Sequence, residues 1–179
     1  MVYLNFIFIC FVILFAIIGA MRGWAKEMMV TASAVLALFL ITVLETYVKG
    51  LTQSFAEPGS TAQFWLRVAI IIILTFFGYQ TPNLPRVGGE RFARERLQDS
   101  LLGIFLGALN GYLIVGSIWY FLSEANYQAL SYIIPPDPTS IQGQAALKLL
   151  AWMAPAWLGV PFIYFAIALA FIFVIVVFI

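Results

Sequence analysis

Five long apolar runs restrict the folds open to this chain more than any other feature of its sequence. They are Leu4–Ala20, Met28–Leu44, Phe64–Tyr79, Leu101–Leu122 and Val160–Ile179, with lengths of 17, 17, 16, 22 and 20 residues. A helix needs about 17–25 apolar residues to cross a hydrocarbon core about 30 Å thick, and in lipid it satisfies its own backbone hydrogen bonds. The runs do not alternate as the strands of a barrel would. We therefore predict an all-α, polytopic membrane bundle of about five transmembrane helices.

Composition excludes several classes of function. The chain is 64% hydrophobic and 9% charged, whereas soluble domains average about 45–50% apolar and about 25% charged residues. Its nine basic and eight acidic residues nearly balance, so no strong field would attract nucleic acid. It has no histidine and a single cysteine, Cys10, which removes the usual metal ligands and the commonest general base. We expect the lipid bilayer, and neither nucleic acid nor a metal, to be its partner.

The distribution of Lys and Arg between the loops predicts an orientation. Loops 21–27 and 80–100 carry six basic residues, and the opposite side carries three. The six are Arg22, Lys26, Arg86, Arg91, Arg94 and Arg96, and the three are Lys49, Arg67 and Lys148. Because basic loops stay in the cytoplasm, we predict a multi-pass protein with its N-terminus outside and its C-terminus inside.

Two loop segments have amphipathic patterns. Gly89–Asp99 pairs Glu90 with Arg94 at i,i+4 spacing, which predicts a short helix that runs into the fourth apolar segment. Ile141–Met153 has polar residues on one side and apolar residues on the other, which predicts a helix lying in the membrane interface.

The sequence contains none of the common catalytic or nucleotide-binding motifs. Glu27, Glu45 and Glu124 fall at the ends of apolar runs, so we interpret them as solvated groups at the interface. Arg67 lies four residues into the third segment, where its side chain would snorkel to the outer interface. We therefore predict that the chain is not an enzyme and holds no cofactor.

The first hairpin concentrates charge between two membrane segments. Arg22 and Lys26 are four residues apart and repel each other on one helix face, so Glu27 or lipid phosphate would compensate them. One interpretation is a charge cluster that sets topology, with Trp24 as an interface anchor. The other is a polar contact with another segment or a partner.

The fourth apolar run has a stripe of small residues. Gly103, Gly107 and Gly111 repeat every four residues, and Asn110 lies beside them near the middle of the span. Membrane helices associate through small residues and interhelical hydrogen bonds. We predict that this stripe packs against the first or second helix, which offer the small pairs Ala16 and Ala20 or Ser33 and Ala37 at the same spacing. Asn110 would be hydrogen-bonded beside it, while contact with a partner or a solute remains the alternative.

Two motifs resemble those of the colicin V production protein family. The first, Arg22-Gly23-x-x-Lys26-Glu27, lies between an apolar helix and a second helix rich in small residues. The second is Asp99-Ser-Leu-Leu102-Gly103-x-x-x-Gly107-Ala-Leu-Asn110-Gly111-x-x-x-Val115. Order and spacing match the family over roughly residues 3–155. The resemblance implies a bacterial inner-membrane protein without known catalysis, from a family named for toxin production or export.

The chain departs from the family pattern in two ways. Ser100 and Asn110 stand where the family usually has arginine, so any function of those arginines would be weakened or replaced here. The run Val160–Ile179 extends beyond the usual four helices. We therefore divide the chain into a family-like membrane domain over residues 1–155 and an additional transmembrane helix over residues 156–179.

Three functions remain open. The resemblance implies a non-catalytic protein that supports export or envelope processes. The missing arginines, the added helix and the 17% of aromatic residues also fit an accessory subunit of a respiratory or photosynthetic complex. A small transporter would need charged or broken-helix sites within the membrane, for which Asn110 and Arg67 are the candidates. In each case we expect contacts with other membrane proteins or with a second copy of the chain.

Overall fold

A computed structural model describes residues 4–48, 57–80, 93–130 and 132–178, and those residues fold into helices and turns without a strand. Within these ranges, seven helices follow one another. They are α1 (Leu4–Arg22), α2 (Trp24–Tyr47), α3 (Thr61–Tyr79), α4 (Ala93–Glu124), α5 (Ile141–Leu150), α6 (Ala154–Trp157) and α7 (Phe162–Phe178). The prediction of an all-α membrane bundle is confirmed.

In the described part of the chain, four helices are long and apolar enough to cross a membrane. They are α1, α2, α3 and the part of α4 from Arg96 to Glu124. The fifth predicted run is also a helix, α7, but its 17 residues span only about 25 Å at 1.5 Å per residue. This helix packs mainly on α2, and its passage across the bilayer remains a prediction.

The prediction of a loop over residues 21–27 is wrong, because the chain there is helical except at Gly23. Helix α1 ends at Arg22 and α2 begins at Trp24. Gly23 makes this corner with a φ of 83°, in the left-handed region that a glycine enters without a steric penalty. The three charged residues of the first motif, Arg22, Lys26 and Glu27, therefore lie on helix ends rather than on a flexible connection.

The predicted amphipathic segment before the fourth run joins that run in one helix. Helix α4 is continuous over 32 residues from Ala93 to Glu124. Residues 89–92 lie outside the described residues, so the predicted start of the segment and the Glu90–Arg94 pair cannot be compared with the structure. From Ala93 onward, the prediction that this helix runs into the fourth membrane segment agrees with the observed helix.

The second amphipathic segment packs on the bundle. Ser140 caps α5 by accepting a hydrogen bond from the Gly143 backbone N–H at 3.0 Å. The helix ends at Leu150 rather than at Met153, and Met153 is fully buried close to Gly116 of α4. The Tyr112 hydroxyl, also on α4, donates to the backbone oxygen of Trp152 at 2.6 Å. The chain after α5 therefore contacts the middle of α4. This location is deeper than the membrane interface predicted for the segment.

Candidate functional site

The glycine stripe of α4 lies directly against α1. A Cβ added at Gly107 would meet the backbone oxygen of Phe15 and would lie 3.0 Å from the Cα of Gly19. One added at Gly103 would meet the backbone of Gly19, and one added at Gly111 would lie 3.0 Å from the Phe15 Cβ. The two backbones are therefore in contact. The prediction that the stripe packs on the first or second helix is therefore correct for α1, where the nearest atoms belong to Phe15 and Gly19 rather than to the expected Ala16 and Ala20.

Asn110 joins α4 to α2 through three hydrogen bonds. Its side-chain amide donates to the backbone oxygen of Glu27 at 3.0 Å and to Glu27 Oε2 at 2.8 Å. The Thr31 hydroxyl donates to Asn110 Oδ1 at 2.7 Å. The Asn110 side chain is completely buried, so both of its amide hydrogens and its oxygen are satisfied inside the bundle.

Glu27 is also completely buried, which contradicts its interpretation as a solvated interface group. Arg22 Nη1 donates to Glu27 Oε1 at 2.9 Å, while Asn110 occupies the other carboxylate oxygen. Arg22 also donates to the backbone oxygen of Tyr79 at 3.1 Å and lies 4.3 Å above the Tyr79 ring. Burial of the carboxylate is tolerable because a charge and an amide both hydrogen-bond to it. We call Arg22, Glu27, Thr31, Tyr79 and Asn110 the Asn110 cluster.

The two sequence motifs meet at the corner between α1 and α2. Asp99 Oδ1 accepts a hydrogen bond from the Trp24 backbone N–H at 3.2 Å, at the positive N-terminal end of the α2 dipole. A Cβ at Gly23 would lie 2.8 Å from that carboxylate oxygen, so glycine is required here for space as well as for its backbone angle. Within the described part of the chain, Lys26 is partly exposed and forms no ion pair.

Ser100, the first of the two departures from the family pattern, lies at the same end of the bundle. Its hydroxyl donates to the backbone oxygen of Ala20 at 3.1 Å. This contact joins the start of the membrane segment of α4 to the end of α1. At both departures, therefore, a neutral side chain forms interhelical hydrogen bonds.

A second cluster closes the opposite end of the bundle. Arg67 Nε donates to Glu45 Oε1 at 2.7 Å and Arg67 Nη2 donates to Glu45 Oε2 at 3.0 Å, while Nη1 pairs with Glu124 Oε2. Gln63 Nε2 donates to Glu45 Oε1 at 2.9 Å. The guanidinium also lies 4.6 Å from the centre of the Phe121 ring. We call Glu45, Gln63, Arg67 and Glu124 the Arg67 cluster.

The Arg67 cluster corrects three predictions. Arg67 is only 9% exposed, so its guanidinium does not snorkel into water but binds two carboxylates. Glu45 and Glu124 are partly exposed partners of that arginine rather than independent solvated groups. The order of the apolar runs could have indicated this pairing. In an up-and-down bundle, the end of α2, the start of α3 and the end of α4 lie on the same side.

The chemistry available to these clusters is limited. Among the described residues, no three His, Cys, Asp or Glu side chains come together as a metal site. The buried hydroxyls of Tyr79 and Ser117 have no hydrogen-bond partner within the described part of the chain. Within the two clusters, the charged side chains and the Asn110 and Gln63 amides bind one another across helices.

The family model described as colicin V production protein matches residues 4–134. The match includes both motifs and all members of the two polar clusters, and the chain belongs to this family. No curated protein and no solved structure matches the chain. The matched residues end before α5, so the division predicted at residues 155 and 156 is neither supported nor contradicted by the match.

Proposed function

We propose that this member of the colicin V production protein family is a non-catalytic protein of the bacterial inner membrane that supports export or envelope processes. In this role it acts as a rigid helical scaffold that other membrane proteins contact. The family is named for the production of colicin V, and a membrane bundle of this kind would serve the export machinery rather than a reaction in solution.

One observation supports a scaffold above an enzyme or a transporter. The charged side chains inside the bundle bind one another: Arg22 pairs with Glu27, and Arg67 pairs with Glu45 and Glu124. Catalytic and transport sites instead direct polar groups toward a substrate or along a pathway. Closed ion pairs between helices fix the relative positions of those helices, which is what a scaffold requires.

The proposal is tested in a strain that lacks the chain and carries the genes for colicin V. In this strain we expect a decrease either in colicin V release or in the exclusion of a membrane-impermeant dye. Expression of the parent chain should restore the property that decreased. Mass spectrometry of proteins that co-purify with the tagged chain in mild detergent should identify membrane proteins of the export or envelope machinery. Unchanged release and dye exclusion in the deletion strain would contradict the proposal.

A second candidate is an accessory subunit of a large membrane complex, and helix α7 favours it. This helix packs mainly on α2 and leaves a row of apolar side chains on its outer surface. The row consists of Phe162, Phe165, Leu169, Ile172 and Val176, each at least 59% exposed. Co-purification with respiratory or photosynthetic subunits, lost when α7 is deleted, would support this second function.

We also propose an orientation with the N-terminus outside and the C-terminus inside, based on the six-to-three distribution of Lys and Arg. Single cysteines at Ser60 and at Gly89, each introduced with Cys10→Ser, test it with a membrane-impermeant thiol reagent in intact cells. Labelling at position 60 but not at position 89 is expected. Labelling at position 89 alone would reverse the orientation.

A further inference from the structure

A cavity of about 190 Å³ adjoins the Arg67 cluster. Helices α2, α3 and α4 form three of its sides, and the chain from Pro155 to Gly159 forms the fourth. Its volume is about six times the share of one water molecule in the liquid, about 30 Å³. A group of a few heavy atoms therefore fits beside the cluster.

The charges around this cavity favour a cation. One guanidinium, Arg67, faces two carboxylates, those of Glu45 and Glu124, and all three side chains line the cavity. Glu45 accepts hydrogen bonds on both oxygens from Arg67 and a further one from Gln63. Glu124 accepts a hydrogen bond from Arg67 on Oε2 and interacts with the neutral Tyr120 hydroxyl, and its side chain is 39% exposed. The uncompensated negative charge is therefore centred on Glu124.

The helix ends reinforce this preference. Glu124 is the last residue of α4, and Glu45 lies two residues before the end of α2 at Tyr47. The C-terminal end of a helix carries a partial negative charge, about half an elementary charge. Two such ends converge beside the cavity, whereas Arg67 is already bonded to carboxylates and is 9% exposed. An anion would meet repulsion here, without a free cationic partner among the described residues that line the cavity.

The walls distinguish an organic ammonium from a metal ion. The rings of Tyr120 and Phe121 and the aliphatic side chains of Leu38, Ile41 and Leu158 provide most of the other lining. Hard metal ions take six to eight oxygen ligands, with carboxylates foremost, whereas this lining offers two carboxylates that are already bonded to Arg67 and no third. An ammonium group can hydrogen-bond to one carboxylate and also lie against aromatic rings.

We propose that this cavity binds a primary ammonium group, with the Glu124 carboxylate as its main partner. The group would belong either to an ethanolamine phospholipid headgroup or to a free small amine, since both present the same chemistry. This proposal is independent of the role in export, because it depends only on the cavity and its charges.

The free-amine arm uses the full chain in nanodiscs of phosphatidylglycerol, with ethanolammonium chloride as the probe. Binding to the folded state raises the melting temperature in a saturable way. We expect ethylene glycol and sodium chloride, each at the same concentration as the probe, to leave the melting temperature unchanged. Glu124→Gln should weaken binding about tenfold, which corresponds to about 1.4 kcal/mol. Asp137→Asn, which alters an exposed carboxylate away from the cavity, is the matched control and should bind as the parent does.

Gly159→Leu provides a second variant that leaves the ion pairs intact. A Cβ at Gly159 meets no atom within 4 Å, and this residue lines the cavity. The new side chain should fill the space, abolish the effect of ethanolammonium and leave the melting temperature of the free protein near that of the parent.

The lipid arm measures which phospholipid remains bound in native mass spectra, after extraction from vesicles of equal phosphatidylethanolamine and phosphatidylglycerol. Preferential retention of phosphatidylethanolamine by the parent, lost in Glu124→Gln and in Gly159→Leu, identifies a headgroup. A response to ethanolammonium without that retention identifies a free amine. The proposal is overturned if the parent shows neither effect, or if both variants respond as the parent does.

Discussion

The contact between α1 and α4 predicts a large effect of a single substitution, Gly107→Leu. A Cβ at this position would lie 3.0 Å from the Gly19 Cα, whereas ordinary contact begins at 3.4 Å. The Phe15 backbone oxygen would lie closer still, so the helices must separate by more than 0.4 Å, the difference between those two distances. The atoms in the way belong to the backbones of Phe15 and Gly19, so no side-chain rotation relieves the overlap.

Separation of the two helices weakens the whole contact. A gap of about 0.5–1 Å forfeits a quarter to a half of the dispersion energy of the atoms that face it. Overpacking of this kind destabilises proteins by about 1–3 kcal/mol. For a chain of this size, that corresponds to a melting temperature lower by about 2–12 °C, at about 2–4 °C per kcal/mol.

The assay is thermal unfolding in one detergent, monitored by circular dichroism. Gly159→Leu is the control. Both variants add the same side chain at a glycine, but only Gly107 faces another backbone. We expect Gly107→Leu to melt below the parent and Gly159→Leu to melt near it. If Gly107→Leu melts with the parent, the stripe does not hold α1 against α4 and the packing described here is wrong.

Three further substitutions have defined outcomes. Asn110→Leu removes one of the two donors to the buried Glu27 carboxylate and should destabilise the chain by about 1–3 kcal/mol; an unchanged melting temperature would mean that this hydrogen bond contributes nothing. Arg67→Leu leaves two partly exposed carboxylates without their cation and should cost about 1–3 kcal/mol, seen as a lower yield of folded protein in detergent. Full yield and stability would refute the ion-pair account. Gly23→Ala places a Cβ 2.8 Å from the Asp99 carboxylate, at a residue whose φ is positive. It should lower the melting temperature by more than Gly159→Ala does, and equal melting temperatures would show that the corner tolerates a side chain.

The sequence predicted the helical bundle because the physics of the bilayer leaves few alternatives. Each apolar run had to become a helix, and the stripe Gly103, Gly107 and Gly111 could be identified as a packing surface from spacing alone. Its opposing residues were missed because small residues on α1 were sought at Ala16 and Ala20. In the structure, a backbone approaches through the single glycine Gly19, and its neighbour Phe15 contributes main-chain atoms.

The polar clusters could not be found in the same way. A charged residue at the end of an apolar run is usually solvated, and nothing local to Glu27 or Arg67 distinguishes a solvated group from a paired one. Pairing depends on which helix ends meet, and Glu27 and Asn110 are 83 residues apart. Average energies for hydrogen bonds in membranes, about 0.6 kcal/mol, also understate a bond whose acceptor is a buried carboxylate.

The central claim is that the charges of the Asn110 cluster serve the packing of the helices and take no direct part in function. Its most direct test replaces the polar core of the Asn110 cluster with apolar residues in one chain, Arg22→Met with Glu27→Met and Asn110→Leu. Apolar replacement of a whole buried ion pair is often neutral or stabilising, so we expect a folded variant whose melting temperature is close to that of the parent.

The deciding measurement is complementation of the deletion strain by this triple variant, scored by colicin V release and by exclusion of an impermeant dye. A scaffold predicts restoration to the level of the parent chain. A variant that folds, reaches the membrane in normal amount and still fails to restore either property would contradict the account, because the charges would then act in function rather than in structure.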